Sequence, residues 1–312
     1  MKPKVLITDD VHPILADGLR ADGFEVDYLP TVTEDTVWQI IPQYEGLVIN
    51  SRIPATRKLL QRAARLKFVC RAGSGLEVID LEAAKELNIA AFNSPEGNAI
   101  AVGEHALGML LALLNNLVQA NSDVKSYNWN REANRGYELS GKTVGLIAYG
   151  TNARAFAKLL RGFDVKILAY DKYLSGFGDQ WVTEANLDQI FAEADVLSLH
   201  LPLTHETEYM INDSFFARFK KPIWFINISR GKVLDTNALL QAMAHGKVIA
   251  AALDVLENEK LTMLTPGQKE TFEQLVNNKK ILLSPHIAGW TYESKQKIAT
   301  ILLHRIQHVY KG

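Results

Sequence analysis

Short apolar runs recur through the N-terminal part of the chain, at residues 4–7, 24–29, 46–49, 68–70 and 89–92, each followed by a longer stretch with helical spacing. Runs of this length between turn residues predict strands, and their alternation with helical stretches predicts a parallel sheet wrapped by helices. A second series follows at 143–148, 165–169, 196–200, 223–228, 249–253 and 281–283. The intervals again leave room for crossover helices, so the pattern predicts an α/β chain with two doubly wound parallel-sheet domains. Between the two series, residues 98–121 are apolar on nearly every side, with Ile100, Val102, Leu107, Met109, Leu110, Leu111, Leu113, Leu114 and Leu117. A helix with that pattern is expected to be covered by both domains or by another subunit. The last helix is predicted from about Glu293 to Val309, with Ile298, Ile301, Leu302 and Ile306 at helical spacing.

A length of 312 residues exceeds the span of one hydrophobic core and independently predicts two domains. Hydrophobic residues make up 47%, charged residues 22%, and the formal net charge is -1. Nothing in that balance points to nucleic acid or to an anionic membrane surface as a partner. The lone cysteine, Cys70, cannot form an internal disulfide, and its place in an apolar run reads as a small buried side chain. After Lys2 and Lys4 only Val5, Leu6 and Ile7 precede Thr8-Asp9-Asp10, so the apolar core of a signal peptide is missing and a cytoplasmic protein is expected. The apolar helix near 100–118 is interrupted by Glu104, His105 and Asn115-Asn116 and is too short to cross a bilayer.

The strand ending at Ile147 runs into Ala148-Tyr149-Gly150-Thr151-Asn152-Ala153 and then a helical pattern from Ala155. A glycine turn between strand and helix lets free N–H groups and the helix dipole meet a dinucleotide pyrophosphate. Alanine replaces two of the three usual glycines. Ala153 sits where only a small side chain is needed. A residue forced to positive φ at Ala148 costs on the order of 1–2 kcal/mol. Gly150 keeps the position where backbone approaches phosphate most closely. Some twenty residues on, Asp171 ends the next strand and is placed to accept hydrogen bonds from ribose hydroxyls, which favours NAD over NADP. A 2′-phosphate beside it faces roughly 4 kcal/mol of repulsion per charge pair, softened by Lys172.

Three further side chains follow strands of the second series: Arg230, Glu259 and His286. Open α/β sheets bind ligands at the carboxyl ends of their strands. A histidine there exchanges protons near neutral pH, a carboxylate on its other ring nitrogen orients it and favours imidazolium, and an arginine fork grips a carboxylate. Singly, each reads as an ordinary loop residue; together they make chance a poor explanation. Arg, Glu and His in this order, with Arg71-Ala72-Gly73-Ser74-Gly75, Pro95–Asn98, Asn227–Gly231 and Pro285–Gly289, resemble the D-isomer-specific 2-hydroxyacid dehydrogenases over nearly the whole chain.

The resemblance implies a flavodoxin-like substrate domain of residues 1–98 plus 290–312, a Rossmann dinucleotide-binding domain of residues 99–289, and a cleft between them. It implies Arg230, Glu259 and His286 as catalytic residues. Glu259 is preferred to Glu257 by its place after Asp254-Val255-Leu256, although Lys260 stands where the family usually has proline. The implied cofactor contacts are Tyr149, Gly150, Thr151, Asn152, Asp171, His200, Pro202 and Asp254, with His200 lining the pocket rather than reacting. Implied substrate contacts are Arg52, Arg71, Gly73, Ser74, Gly75 and Arg131, the small residues of the 71–75 loop offering backbone N–H groups to a carboxylate. No metal is expected. The implied reaction is hydride transfer between NAD and a small 2-hydroxy or 2-keto acid. Within the family the chain is similar to 3-phosphoglycerate dehydrogenases, with Arg52 and Arg131 as candidates for the phosphate; glyoxylate, hydroxypyruvate or a bulkier 2-keto acid is the alternative. A reading from another class is a nucleotide-sensing scaffold without catalysis, which the altered turn at Ala148 keeps open and the Arg-Glu-His set opposes. The family also implies a homodimer using the helix at 98–121, and the chain's end soon after its last helix implies that no serine-sensing domain follows.

Overall fold

The computed structural model describes residues 2–311, and its contacts divide them into two units. One unit runs through Ala99 and resumes from Trp290; the other is Ile100–Gly289.

The first unit alternates β1 (Lys4–Ile7), α1 (Pro13–Ala21), β2 (Glu25–Tyr28), α2 (Glu34–Ile40), β3 (Gly46–Ile49), α3 (Arg57–Arg62), β4 (Phe68–Arg71), α4 (Leu81–Glu86) and β5 (Ala90–Phe92). Its five strands lie in the order β2-β1-β3-β4-β5, all parallel. This is the flavodoxin-like order. Helix starts are set by local chemistry: Thr33, Thr56 and Asp80 each accept a backbone N–H of the first turn. The last helix, Tyr292–Lys311, returns to this unit, where Ala299, Leu302 and Ile306 join Val5, Ile7, Leu15 and Phe68 in one apolar cluster.

The second unit opens one residue into α5 (Ala99–Leu114), followed by α6 (Leu117–Lys125). Then come β6 (Thr143–Ile147), α7 (Thr151–Leu160), β7 (Lys166–Tyr170), β8 (Val182–Glu184), α8 (Leu187–Glu193), β9 (Val196–Leu199), α9 (Asp213–Ala217), β10 (Ile223–Asn227), α10 (Thr236–Ala244), β11 (Val248–Leu253), α11 (Pro266–Asn277) and β12 (Ile281–Leu283). The seven strands are ordered β12-β11-β10-β9-β6-β7-β8, every pair parallel. Strand order reverses at β6, the Rossmann switch point, where dinucleotides bind beyond the strands' carboxyl ends. Apolar layers cover both faces: Val102, Phe156 and Leu160 on one side, Ile190, Phe215 and Leu239 on the other.

Two expectations needed correction. The helix expected across 98–121 is broken at Asn115-Asn116, where Asn116 takes φ 50 and its side chain donates to the Arg135 carbonyl at 3.0 Å. Asparagine tolerates the left-handed region better than most residues, so two polar residues inside an apolar pattern end one helix and start another. The edge strand β8 was missed because its three residues bury only Val182, too little for a periodic signal. Among the described residues no single helix is long and apolar enough to cross a membrane; α5 and α6 reach that length only as a pair bent by 60°.

Candidate active site in the second unit

At the switch point, Ala148 adopts φ 67, in the left-handed region, and donates its N–H to the Tyr170 carbonyl at 2.8 Å. Gly150 caps α7 without a side chain, and a Cβ built on it meets nothing within 4 Å, so its exposed surface is open to a ligand. Among the described residues the N–H groups of Thr151, Asn152 and Ala153 have no acceptor; the first bond of the helix is Arg154 N–H to the Gly150 carbonyl at 3.0 Å. Three aligned donors at a helix start fit a pyrophosphate. The buried Asn152 Oδ1, also without a partner, lies in the same turn. The Tyr149 ring is buried against Phe177, with the Arg154 guanidinium 4.5 Å over its face, so the ring is not open to a ligand.

Asp171 ties this turn together. Its carboxylate accepts the N–H of Tyr149 at 2.8 Å, Tyr173 at 2.9 Å and Leu174 at 3.0 Å. Burial works to raise its pKa, but those three donors and the nearby Arg154 charge outweigh it, holding the carboxyl below its ordinary value and ionised. One lone pair on Oδ2 remains for a ribose hydroxyl. His200 packs against Phe156, bonds Ser198 Oγ through Nε2 at 3.1 Å and leaves Nδ1 buried without a partner. Burial pushes its pKa down to about 3, so the ring is neutral and lines the fold rather than exchanging protons. Pro202 is exposed, and its carbonyl accepts the Thr207 hydroxyl at 2.7 Å. These features fit NAD.

Strands β10, β11 and β12 are parallel neighbours, so the loops carrying Arg230, Glu259 and His286 leave the same edge of one sheet. The first two loops touch. A Cβ on Gly231 would stand 1.8 Å from the Leu256 carbonyl oxygen, so the turn that presents Arg230 rests on the turn that leads to Glu259. His286 Nδ1 lies 2.9 Å from Glu259 Oε1 and 3.0 Å from Oε2, with both side chains 47% exposed. Glu257 is committed elsewhere: its Oε1 accepts the N–H of Thr236 at the start of α10, at 2.6 Å. Arg230 is half-buried, with one guanidinium N–H on the Ser229 carbonyl at 2.7 Å.

His286 itself stands at φ 56, a conformation non-glycine residues avoid, and its N–H reaches the Asp254 carbonyl at 2.7 Å. The Asp254 carboxylate, 1% exposed, accepts Ser284 Oγ at 2.5 Å and the N–H groups of Ile287 at 2.9 Å and Ala288 at 2.8 Å. Burial works to raise its pKa, yet His105, Ser284, Ala288 and Ile287 together bring it below its ordinary value. Asp254 therefore faces inward to the histidine loop, with one Oδ2 lone pair left over. Ser284 and His105 were not singled out from the sequence as site residues. Their signal was the spacing itself: a serine two residues before the histidine, and a polar residue interrupting an apolar helix.

In the first unit, Gly73 N–H closes a tight turn on the Arg71 carbonyl at 2.9 Å, while among the described residues the N–H groups of Ser74, Gly75 and Leu76 have no acceptor. Ser74 Oγ is held by Asn98 Oδ1 at 2.6 Å, and Arg71 pairs with Glu77 at 3.1 Å. Arg52 is turned onto the carbonyls of Pro30, at 2.6 Å, and Val32. Arg131 is exposed in the segment after α6, in the second unit.

The sequence profile of the D-isomer specific 2-hydroxyacid dehydrogenase NAD binding domain matches residues 107–288. The chain is 34% identical over 311 residues to a D-3-phosphoglycerate dehydrogenase from Synechocystis sp., covering 99% of this chain and 54% of that protein. It therefore spans about half the length of that relative. It is 35% identical over 273 residues to a hydroxypyruvate reductase from Thermotoga maritima, covering 88% of this chain and 87% of that protein. Among solved structures, a D-lactate dehydrogenase from Aquifex aeolicus complexed with NAD and lactic acid superposes with a TM-score of 0.85 at 27% identity, covering 99% of this chain and 96% of that one.

Proposed function

From the premise that this chain belongs to the D-isomer-specific 2-hydroxyacid dehydrogenase family, we propose that it interconverts a D-2-hydroxy acid and its 2-keto acid with NAD. The observation that carries this reading is the His286–Glu259 pair, 2.9 Å apart at the carboxyl edge of a dinucleotide-binding sheet. With Nδ1 turned to Glu259, Nε2 is the ring nitrogen left to give a proton to the keto oxygen or to take one from the hydroxyl. Glu259 holds the ring's orientation and offsets the charge of the imidazolium as it forms. Arg230 grips the substrate carboxylate and draws charge onto the neighbouring oxygen. Thr151, Asn152, Ala153, Gly150 and Asp171 hold NAD, which when bound exchanges a hydride with the substrate. In this reading residues 1–98 plus 290–312 are the substrate domain, whose Ser74–Leu76 N–H groups offer an anion cradle.

The favoured substrate pair is 3-phosphoglycerate and phosphohydroxypyruvate, supported by the phosphoglycerate dehydrogenases among the relatives. A second reading, an unphosphorylated acid such as hydroxypyruvate, is favoured by the hydrogen bonds that turn Arg52 onto its own loop. We read the protein as cytoplasmic, in keeping with a single, buried free thiol, and as a homodimer, in keeping with the exposed apolar side chains of Leu117, Val118, Val124 and Trp129; sedimentation at working concentration tests the latter. The function is tested by NADH oxidation with phosphohydroxypyruvate, hydroxypyruvate, glyoxylate and pyruvate. One acid is expected to turn over, with His286→Ala lowering kcat about 100-fold or more. No turnover of any acid alongside intact NADH binding would replace this reading with the sensor.

A further inference from the structure

We propose that Ser284 and His105 are positioning residues that lock the buried Asp254 carboxylate and thereby hold His286 in its unfavourable backbone conformation. The proposal rests on the reading of His286 as the proton donor only for its kinetic consequence. Structurally it rests on the loop itself.

Residues 284–288 wrap around one carboxylate. Asp254 receives the N–H groups of Ile287 and Ala288 on its two oxygens, and its backbone carbonyl receives the N–H of His286 at 2.7 Å. The residue that must sit at φ 56 is thus clasped from both ends by a single aspartate. Such a conformation persists only where its surroundings over-determine it. A carboxylate, however, can rotate about its own side-chain bonds, and two loop amides alone would move with it. What fixes it comes from outside the loop's amides: Ser284 Oγ at 2.5 Å and His105 Nε2 at 3.5 Å, both on Oδ1.

The proton order follows from the distances. Ionised Asp254 only accepts, so the single Ser284 hydroxyl proton points to it. Ser284 Oγ then accepts from His105 Nε2, 3.0 Å away, which must carry a hydrogen. The chain runs from the middle of α5 through a hydroxyl to the carboxylate and on to the loop. His105 belongs to a helix whose neighbours Val102, Ala106, Met109 and Leu110 are buried in the unit's core, so the anchor is rigid.

The test is amide exchange at His286, Ile287 and Ala288 in Ser284→Ala, His105→Leu and the conservative Ser284→Thr, with kinetics on the accepted acid. Ser284→Ala and His105→Leu are expected to speed exchange at these amides about tenfold or more while exchange elsewhere in the β-sheet is unchanged. They are also expected to lower kcat by roughly 10- to 100-fold, with KM for NADH within about twofold. Ser284→Thr keeps the hydroxyl and restores both. Exchange at 286–288 unaltered in both disruptive variants overturns the proposal, as does failure of Ser284→Thr to restore what Ser284→Ala loses. If the parent protein turns over no acid, the functional reading falls, and exchange alone still decides this one.

Discussion

Gly231→Ala offers a direct test of whether the two catalytic turns rest on each other. The added Cβ would lie 1.8 Å from the Leu256 carbonyl oxygen, 2.0 Å from its carbon and 2.6 Å from the Glu257 nitrogen. All three are backbone atoms, so no side chain can swing aside. An unstrained carbon–oxygen approach is about 3.3 Å. One turn must therefore retreat by about 1.5 Å, carrying either Arg230, one residue before, or Glu259, three residues after Leu256. Displacements of about 1 Å at reacting groups cost on the order of 100-fold in rate, so kcat/KM is expected to fall at least that far. Overpacking of this kind costs about 1–3 kcal/mol or more, a drop in Tm of roughly 2–10 °C for a unit of this size. NADH binding, followed by fluorescence, should be unchanged, because Gly150 and Asp171 belong to other turns. A variant with parental Tm and parental kcat/KM would show that these turns do not meet in the working protein.

Ala148→Gly should stabilise the protein by about 0.5–1 kcal/mol, the relief of a left-handed alanine less the extra freedom glycine has when unfolded; urea unfolding measures it, and a loss of stability would refute the strain. His200 supplies a pH dependence. Its folded pKa of about 3 lies below the unfolded value of about 6.5, so the unfolded chain binds the extra proton between them. Stability is then complete above about pH 6.5 and is lost as pH falls toward 3, by about 1.4 kcal/mol per unit. Urea unfolding at pH 7 and pH 5 should show a shallower pH dependence in His200→Gln than in the parent, by about 2 kcal/mol over that interval; identical slopes would reject the assignment.

Most of the architecture was legible in the order of residues. Fully buried parallel strands such as β3 and β10 must be continuous apolar runs, and crossover helices must repeat between them, so strand identity and the two-sheet plan follow from local periodicity. The cost of a positive φ at Ala148 was equally readable, because backbone sterics are a property of the residue and its place in the motif; that the turn keeps this φ is a finding of the structure. Function at the level of family was carried by side chains whose chemistry is specific in combination: Arg230, Glu259 and His286.

What tertiary structure decided is direction. Glu257 and Glu259 are indistinguishable by type, and only the start of α10, 21 residues earlier in the chain, draws one inward and leaves the other to His286. Asp254 followed the same logic: expected at the cofactor, its carboxylate turns to the loop because three donors from residues 284–288 meet it there. The edge strand β8 was set by its pairing with β7, which the periodicity of three residues does not record. Periodicity records which face of an element leaves water. It holds no record of where a polar side chain finds its partner, since that partner comes from another strand's end and exists only after the sheet has formed.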